Sequence, residues 1–248
     1  MSGILSENEN LHNYWYVVTR SADLTTAPAG ATLLGRNLVL WRDTSNIVHA
    51  APDRCPHREG VLSNGTVENG CLVCPYHGWT FASEGKCVNI PSSAPGVPPP
   101  PKANLTVFKC VEKYGLIWVC IGKPVADIPI IPQDDDPSFR RINTIVDTWK
   151  TSATRMTDNF LDITHFPFVH TGTFGRKQDT TVPKVDLSQM DTSWYGYSYE
   201  VDANNSGSGT LASNSSESVV HRHMSSGFNL PFSVRSTIQY SSGLSHIL

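Results

Sequence analysis

Two cysteines and two histidines stand in a pattern that could hold metal: Cys55-Pro56-His57 and Cys74-Pro75-Tyr76-His77, with sixteen residues between the pairs. Thiolates are soft donors suited to iron bridged by sulfide. Neutral imidazoles on a second iron leave it less negatively charged and raise its reduction potential. The set therefore fits a [2Fe-2S] cluster with Cys55 and Cys74 on one iron and His57 and His77 on the other, and its chemistry is one-electron transfer. Pro56 and Pro75 stiffen the two loops, and Gly78 lets the backbone turn tightly beside the cluster. Two Cys and two His also make a tetrahedral zinc site, and Cys71-Leu72-Val73-Cys74 is a CxxC in its own right, so zinc or a redox dithiol is the competing reading. Cys71, Cys87, Cys110 and Cys120 read as small buried apolar side chains.

The second candidate is the segment NFLDITHFPFVH, residues 159–170. On a helix Asp162 and His165 share a face, whereas His165 and His170, five residues apart, lie about 140° around it. Pro167 offers a remedy, because proline disfavours helical geometry at Phe166 and removes a donor, so a break there would swing His170 toward His165. Two imidazoles and one carboxylate form the facial triad that holds ferrous iron and leaves positions open. Taken singly, each histidine reads as a satisfied core residue, and Phe160, Phe166 and Phe168 as core. His221 and His223 alternate by two on a strand, which suits either a cavity wall or the surface.

These residues need elements to position them. Short alternating runs at 14–18, 31–41, 71–73, 79–81, 107–111 and 116–121 make the first half antiparallel β, with residues 107–121 a hairpin around Glu112-Lys113-Tyr114-Gly115. The proline-rich stretch 91–101 reads as loop. Prolines flanking Asp134, Asp135 and Asp136 mark an exposed link, giving domains at 14–125 and 138–248. Beyond it, 149–169 reads as a helix, 194–201, 218–224, 232–240 and 244–248 as strands, and the Ser-, Asn- and Gly-rich 202–217 as a long flexible loop. The fold class is α+β. The final residues alternate as a strand does, so the chain is expected to stop inside a domain.

CPH followed by CPYHGW, with the adjoining YGLIWV, resembles the N-terminal domain of the Rieske non-haem iron oxygenases, and NFLDITHFPFVH is similar to their iron-binding segment. The resemblance implies an antiparallel-β Rieske domain followed by a catalytic domain of helix-grip (START-like) type. It implies His165 and His170 as ligands of a mononuclear Fe(II), with Asn159 near that iron. It also implies a head-to-tail homotrimer in which His77 of one subunit hydrogen-bonds Asp162 of the next, and Asp162 in turn holds His165. The family's third ligand is a carboxylate well downstream of the second histidine. With 78 residues following His170, it is expected beyond Leu248, since Glu200, Asp202 and Glu217 read as solvated charges.

The implied activity is that of a terminal oxygenase component: electrons pass singly to iron, which activates O2 toward a small aromatic or heterocyclic substrate. HFPFVH with CPYHGW looks most like the branch that includes O- and N-demethylases. No GxGxxG opens a strand-turn-helix unit, so NAD(P)H would act only through a separate reductase, alone or with a ferredoxin. An electron carrier without an intact catalytic iron is the alternative. With 39% hydrophobic and 17% charged residues and a net charge of -3, the chain reads as globular and without a nucleic-acid partner. Its longest strongly apolar run, 116–121, is far short of the ~20 residues of a membrane span, and no secretory signal leads it, so a cytoplasmic protein is expected.

Overall fold

A computed structural model describes residues 8–248. The chain divides into two compact units, one reaching Ile128 and including Arg140–Asp147, the other formed by Pro129–Phe139 and Thr148–Leu248.

The first unit contains β1 (Tyr16–Arg20), β2 (Ala29–Leu33), β3 (Arg36–Arg42), β4 (Val48–Pro52), β5 (Thr66–Glu68), β6 (Cys71–Val73), β7 (Thr80–Phe81), β8 (Cys87–Asn89), β9 (Lys109–Lys113) and β10 (Leu116–Cys120). They pair antiparallel as three sheets, β1-β10-β9, β2-β3-β4 and β5-β6-β7-β8. Strand β3 explains the layering. Its apolar run is buried on both faces, so Leu38 and Leu40 join one core with Val48, Ile117 and Val119, while Val39 and Trp41 join another with Leu62, Leu72, Phe81 and both candidate cluster cysteines. Leu72→Ala is expected to destabilise this unit by about 2–5 kcal/mol in chemical denaturation, since Leu72 is fully buried and its removal leaves a cavity.

The turns refine the expected strands. The single strand expected over 31–41 is a hairpin, because Leu34 and Gly35 both adopt positive φ (48° and 74°) and reverse the chain between β2 and β3. In the second hairpin the turn is two residues, Tyr114 and Gly115, so Glu112 and Lys113 belong to β9. The segment 140–147 returns to this unit through Asn143, whose amide donates to the carbonyls of Tyr114 and Gly115.

In the second unit one five-stranded antiparallel sheet runs in sequence order: β11 (Ser188–Gln189), β12 (Tyr195–Asn204), β13 (Val219–Asn229), β14 (Ser233–Tyr240) and β15 (Ser245–Ile247). One face carries Tyr197, Tyr199 and Met224, against which Ile163 and Phe166 pack. The loop expected over 202–217 is shorter than that, because β12 continues to Asn204 and a short helix, Ser208–Ser213, occupies its middle.

The single helix expected over 149–169 is two: α1 (Ala153–Leu161), capped by Ser152, and α2 (Phe166–Val169). The break falls at Asp162–Thr164 rather than at Phe166. Asp162 takes extended backbone (φ -83°, ψ 133°) and its carboxylate caps the Thr164 amide, ending α1. Pro167 sits in the first turn of α2, where its missing N–H has no partner to lose, so it starts a helix instead of breaking one. The α+β class with antiparallel sheets agrees with the sequence. Among the described residues no helix is long and apolar enough to cross a membrane.

Candidate metal centres

The first centre is built from two loops with one backbone design. In each, the cysteine amide donates to the carbonyl five residues on (Cys55 to Gly60, Cys74 to Trp79, both 2.9 Å), and its carbonyl accepts from the amide four residues on (Glu59 at 2.9 Å, Gly78 at 3.0 Å). The residue four on has positive φ in both, 59° at Glu59 and 68° at Gly78. Glycine at 78 signals that turn; Glu59 hides it, because nothing in a glutamate side chain favours the left-handed region.

These loops separate the donors by type. Cys55 and Cys74 are both 2% exposed, with their thiols in hydrogen-bonding contact. His57 and His77 lie outside, ring centroids 4.6 Å apart. Trp79 stacks on His57 at 4.5 Å and 5°, and Tyr76 lies 3.9 Å from His77. The sequence had not singled out either aromatic ring, although both adjoin the ligand motif. Gly60 lets the loops approach, since a Cβ there would sit 3.2 Å from the Cys74 sulfur.

Burial pushes the Cys55 thiol up to about 11, with the Cys74 thiol adding to the effect, so a bound cation must displace that proton. Partial desolvation, helped by His77 and Arg58, holds His57 below the usual histidine range and favours the neutral ring a metal needs. A buried thiol pair at one end and an imidazole pair at the other fit two irons with two protein ligands each. Among the described residues no three His, Cys, Asp or Glu side chains converge on one ion position, as tetrahedral zinc would require.

The second centre lies at the α1–α2 junction. His165 caps the start of α2 and His170 its end, and one short helical turn brings their Nε2 atoms to 3.2 Å. With metal–nitrogen bonds of about 2.1 Å, that separation subtends roughly 100° at an ion, close to the angle between neighbouring ligands of a facial triad. Asp162 sets the tautomer. Partial burial raises its pKa, but the Thr164 hydroxyl and amide and then His165 outweigh this and bring it to about 2. An ionised carboxylate only accepts, so His165 Nδ1, 2.8 Å from Asp162 Oδ2, carries a proton, which leaves Nε2 as the nitrogen that can ligate a metal.

Thr164, which donates to Asp162 Oδ1 from its amide (2.8 Å) and hydroxyl (2.5 Å), was missed by the sequence reading; Asp-x-Thr is the signal of such a turn. Because the folded pKa lies below the unfolded value near 4, the stability this arrangement contributes is present above pH ~4 and is lost as pH falls toward 2. Asp162→Ala is expected to reduce that acid dependence, measured as denaturation midpoint against pH.

The other singled-out residues lie elsewhere. Asn159 is exposed on α1, gives its carbonyl to the Asp162 amide, and lines a shallow depression of about 440 Å³ with Arg155, Asp158, Leu161 and Asp162. His221 and His223 lie on the opposite face of the sheet from Tyr199 and Met224. There Glu200 bridges them (3.0 and 2.7 Å), and Asp202 takes the other His221 nitrogen at 2.9 Å. Hydrogen bonding to Asp202, together with the charges of both acids, raises the His221 pKa. Glu200 and Asp202 are thus engaged with histidines on the surface. Among the described residues no carboxylate joins His165 and His170 as a third ligand.

Comparisons with known proteins agree with this division. The Rieske [2Fe-2S] domain model matches residues 14–114, and the vanillate O-demethylase oxygenase C-terminal domain matches 149–245. Methylxanthine N1-demethylase NdmA of Pseudomonas putida is 34% identical over 196 residues, covering 76% of this chain and 55% of that protein. The oxygenase component of dicamba O-demethylase from Stenotrophomonas maltophilia is 36% identical over 166 residues, covering 64% and 48%. The solved structure of NdmA with caffeine superposes with a TM-score of 0.82 at 29% identity, over 98% of this chain and 70% of that one. The chain spans about half the length of the relatives it matches by sequence. A cysteine–histidine pair on each of two matched loops, an Asp162-oriented histidine pair downstream, and matches to both domain models in that order place the chain among the Rieske non-haem iron oxygenases.

Proposed function

We propose that the protein is a terminal oxygenase component that hydroxylates or oxidatively demethylates a small aromatic or heterocyclic substrate. The observation that carries this reading is the His165–His170 pair, nitrogens 3.2 Å apart and one ring oriented by Asp162, in the same chain as two Rieske loops. When bound, a [2Fe-2S] cluster supplies electrons singly and a ferrous ion supplies the activation of O2.

The residues take the rest of the work. Cys55 and Cys74 would hold one cluster iron and His57 and His77 the other, with domains at 14–125 and 138–248 as the two functional halves. His165 and His170 would hold the mononuclear iron, and Asp162 keeps the Nδ1 proton of His165 in place so that Nε2 remains a donor. Electrons would come from NAD(P)H through a separate reductase, alone or with a ferredoxin, in the cytoplasm.

We read the assembly as a head-to-tail homotrimer. His77 is exposed, and the Asp162 side chain is 37% exposed, so its carboxylate has lone pairs left for a donor from a neighbouring copy. In that contact Asp162 would both orient His165 and join the two centres.

The test is turnover with a supplied reductase on N- and O-methylated heterocycles. Formaldehyde release matched to NAD(P)H and O2 consumption is the expected result. Oxidation of NAD(P)H with no organic product from any methylated or aromatic substrate would favour the electron-carrier reading instead.

A further inference from the structure

Asn204, the last residue of β12, holds two consecutive carbonyls of the turn that follows His170: its backbone amide donates to Phe174 O (2.9 Å) and its side-chain Nδ2 to Gly175 O (2.5 Å). That turn grips His170 in two ways. The Gly175 and Thr173 amides both donate to the His170 carbonyl at 3.0 Å, and the Phe174 ring stacks on the imidazole at 4.9 Å and 20°. Phe166 closes the arrangement, edge-on to Phe174 at 4.9 Å. The turn has no slack, since a Cβ on Gly175 would come within 2.0 Å of Phe166 O. An ion pair between Arg176 and Asp202 (3.6 Å) fastens the next residue to the same strand.

The two histidines are therefore oriented by different means. Asp162 fixes His165 through its Nδ1, whereas among the described residues no carboxylate or carbonyl takes the Nδ1 of His170, whose ring plane depends on Phe174 and Phe166. We infer that Asn204 is a positioning residue for the mononuclear iron site, acting through the Phe174–Gly175 turn to hold the His170 ring where its Nε2 faces that of His165. The inference rests on the reading of His165 and His170 as iron ligands. Outer-shell partners that orient a ligand typically change metal affinity 10–100-fold when removed, and Asn204 fills that place for a ring whose Nδ1 meets no carboxylate or carbonyl among the described residues.

The test uses the full chain with its cluster assembled, titrated anaerobically with ferrous iron and then probed by the EPR signal of the nitric oxide adduct. Asn204→Leu removes Nδ2 at similar size and keeps the backbone contact; Phe174→Leu removes the stack and keeps both carbonyl contacts. Both are expected to weaken ferrous binding about 10–100-fold and to broaden or shift the EPR signal at saturating iron, with the cluster spectrum unchanged. Unaltered affinity and signal in a folded Asn204→Leu would overturn the inference. Should that variant fail to fold, Phe174→Leu decides, and wild-type affinity there overturns it equally. His170→Ala is the separate arm: if it binds ferrous iron as tightly as the parent, the ligand assignment fails and the positioning role falls with it.

Discussion

Alanine at His77 is expected to abolish cluster assembly, lowering acid-labile sulfide to background and removing about two irons per chain. The thiol pair cannot compensate. Cys55 and Cys74 lie side by side and buried, and their contact supplies donors for one iron only. The other iron depends on two imidazoles whose rings sit 4.6 Å apart at the exposed end, and a single histidine leaves it half-coordinated. The neighbouring fold should survive, because His77 contributes nothing to the core of Trp41, Leu62, Leu72 and Phe81. Circular dichroism like that of the parent, with the visible absorption gone, is therefore expected. A His77→Ala protein that keeps full sulfide would contradict the ligand assignment.

Asp162→Asn is expected to keep the cluster, and to keep mononuclear iron when that metal is saturating, yet to lose product formation by about 100-fold or more. The amide cannot satisfy both neighbours. If its oxygen faces Thr164, where an amide and a hydroxyl both donate, its NH2 faces His165 Nδ1 and drives the proton to Nε2, the atom needed for the metal. If it turns the other way, NH2 meets the Thr164 amide N–H. Either orientation weakens the placement of His165, and in the proposed trimer it also removes the anion that His77 of a neighbouring copy would meet. Single-turnover product yield at saturating iron is the measurement, and a yield equal to the parent's would remove Asp162 from the mechanism.

What could be read from the sequence follows from how local each feature is. The two Rieske loops were legible because ligands, stiffening prolines and the glycine of one turn lie within six residues of each other; only Glu59, in left-handed backbone without a glycine, gave no sign. The approach of His170 to His165 was legible, but the position of the helix break was not. Pro167 drew the break toward Phe166, whereas the Asp162 side chain competes with the helix for the Thr164 amide and ends α1 earlier. The hairpin within 31–41 was missed although Gly35-Arg36-Asn37 interrupts its apolar residues, because the short run 38–41 is buried on both faces and shows no alternation to mark where β3 starts. The Asn204 contacts were beyond reach altogether: residues 174 and 204 meet only once β12 has formed, and no spacing rule joins them.

The most direct test of the account is iron and acid-labile sulfide per chain in anaerobically purified protein supplied with ferrous iron. The account predicts about three irons for two sulfides, two in the cluster and one at His165 and His170. Two irons for two sulfides would remove the mononuclear centre and leave an electron carrier, and zinc without sulfide would contradict both centres.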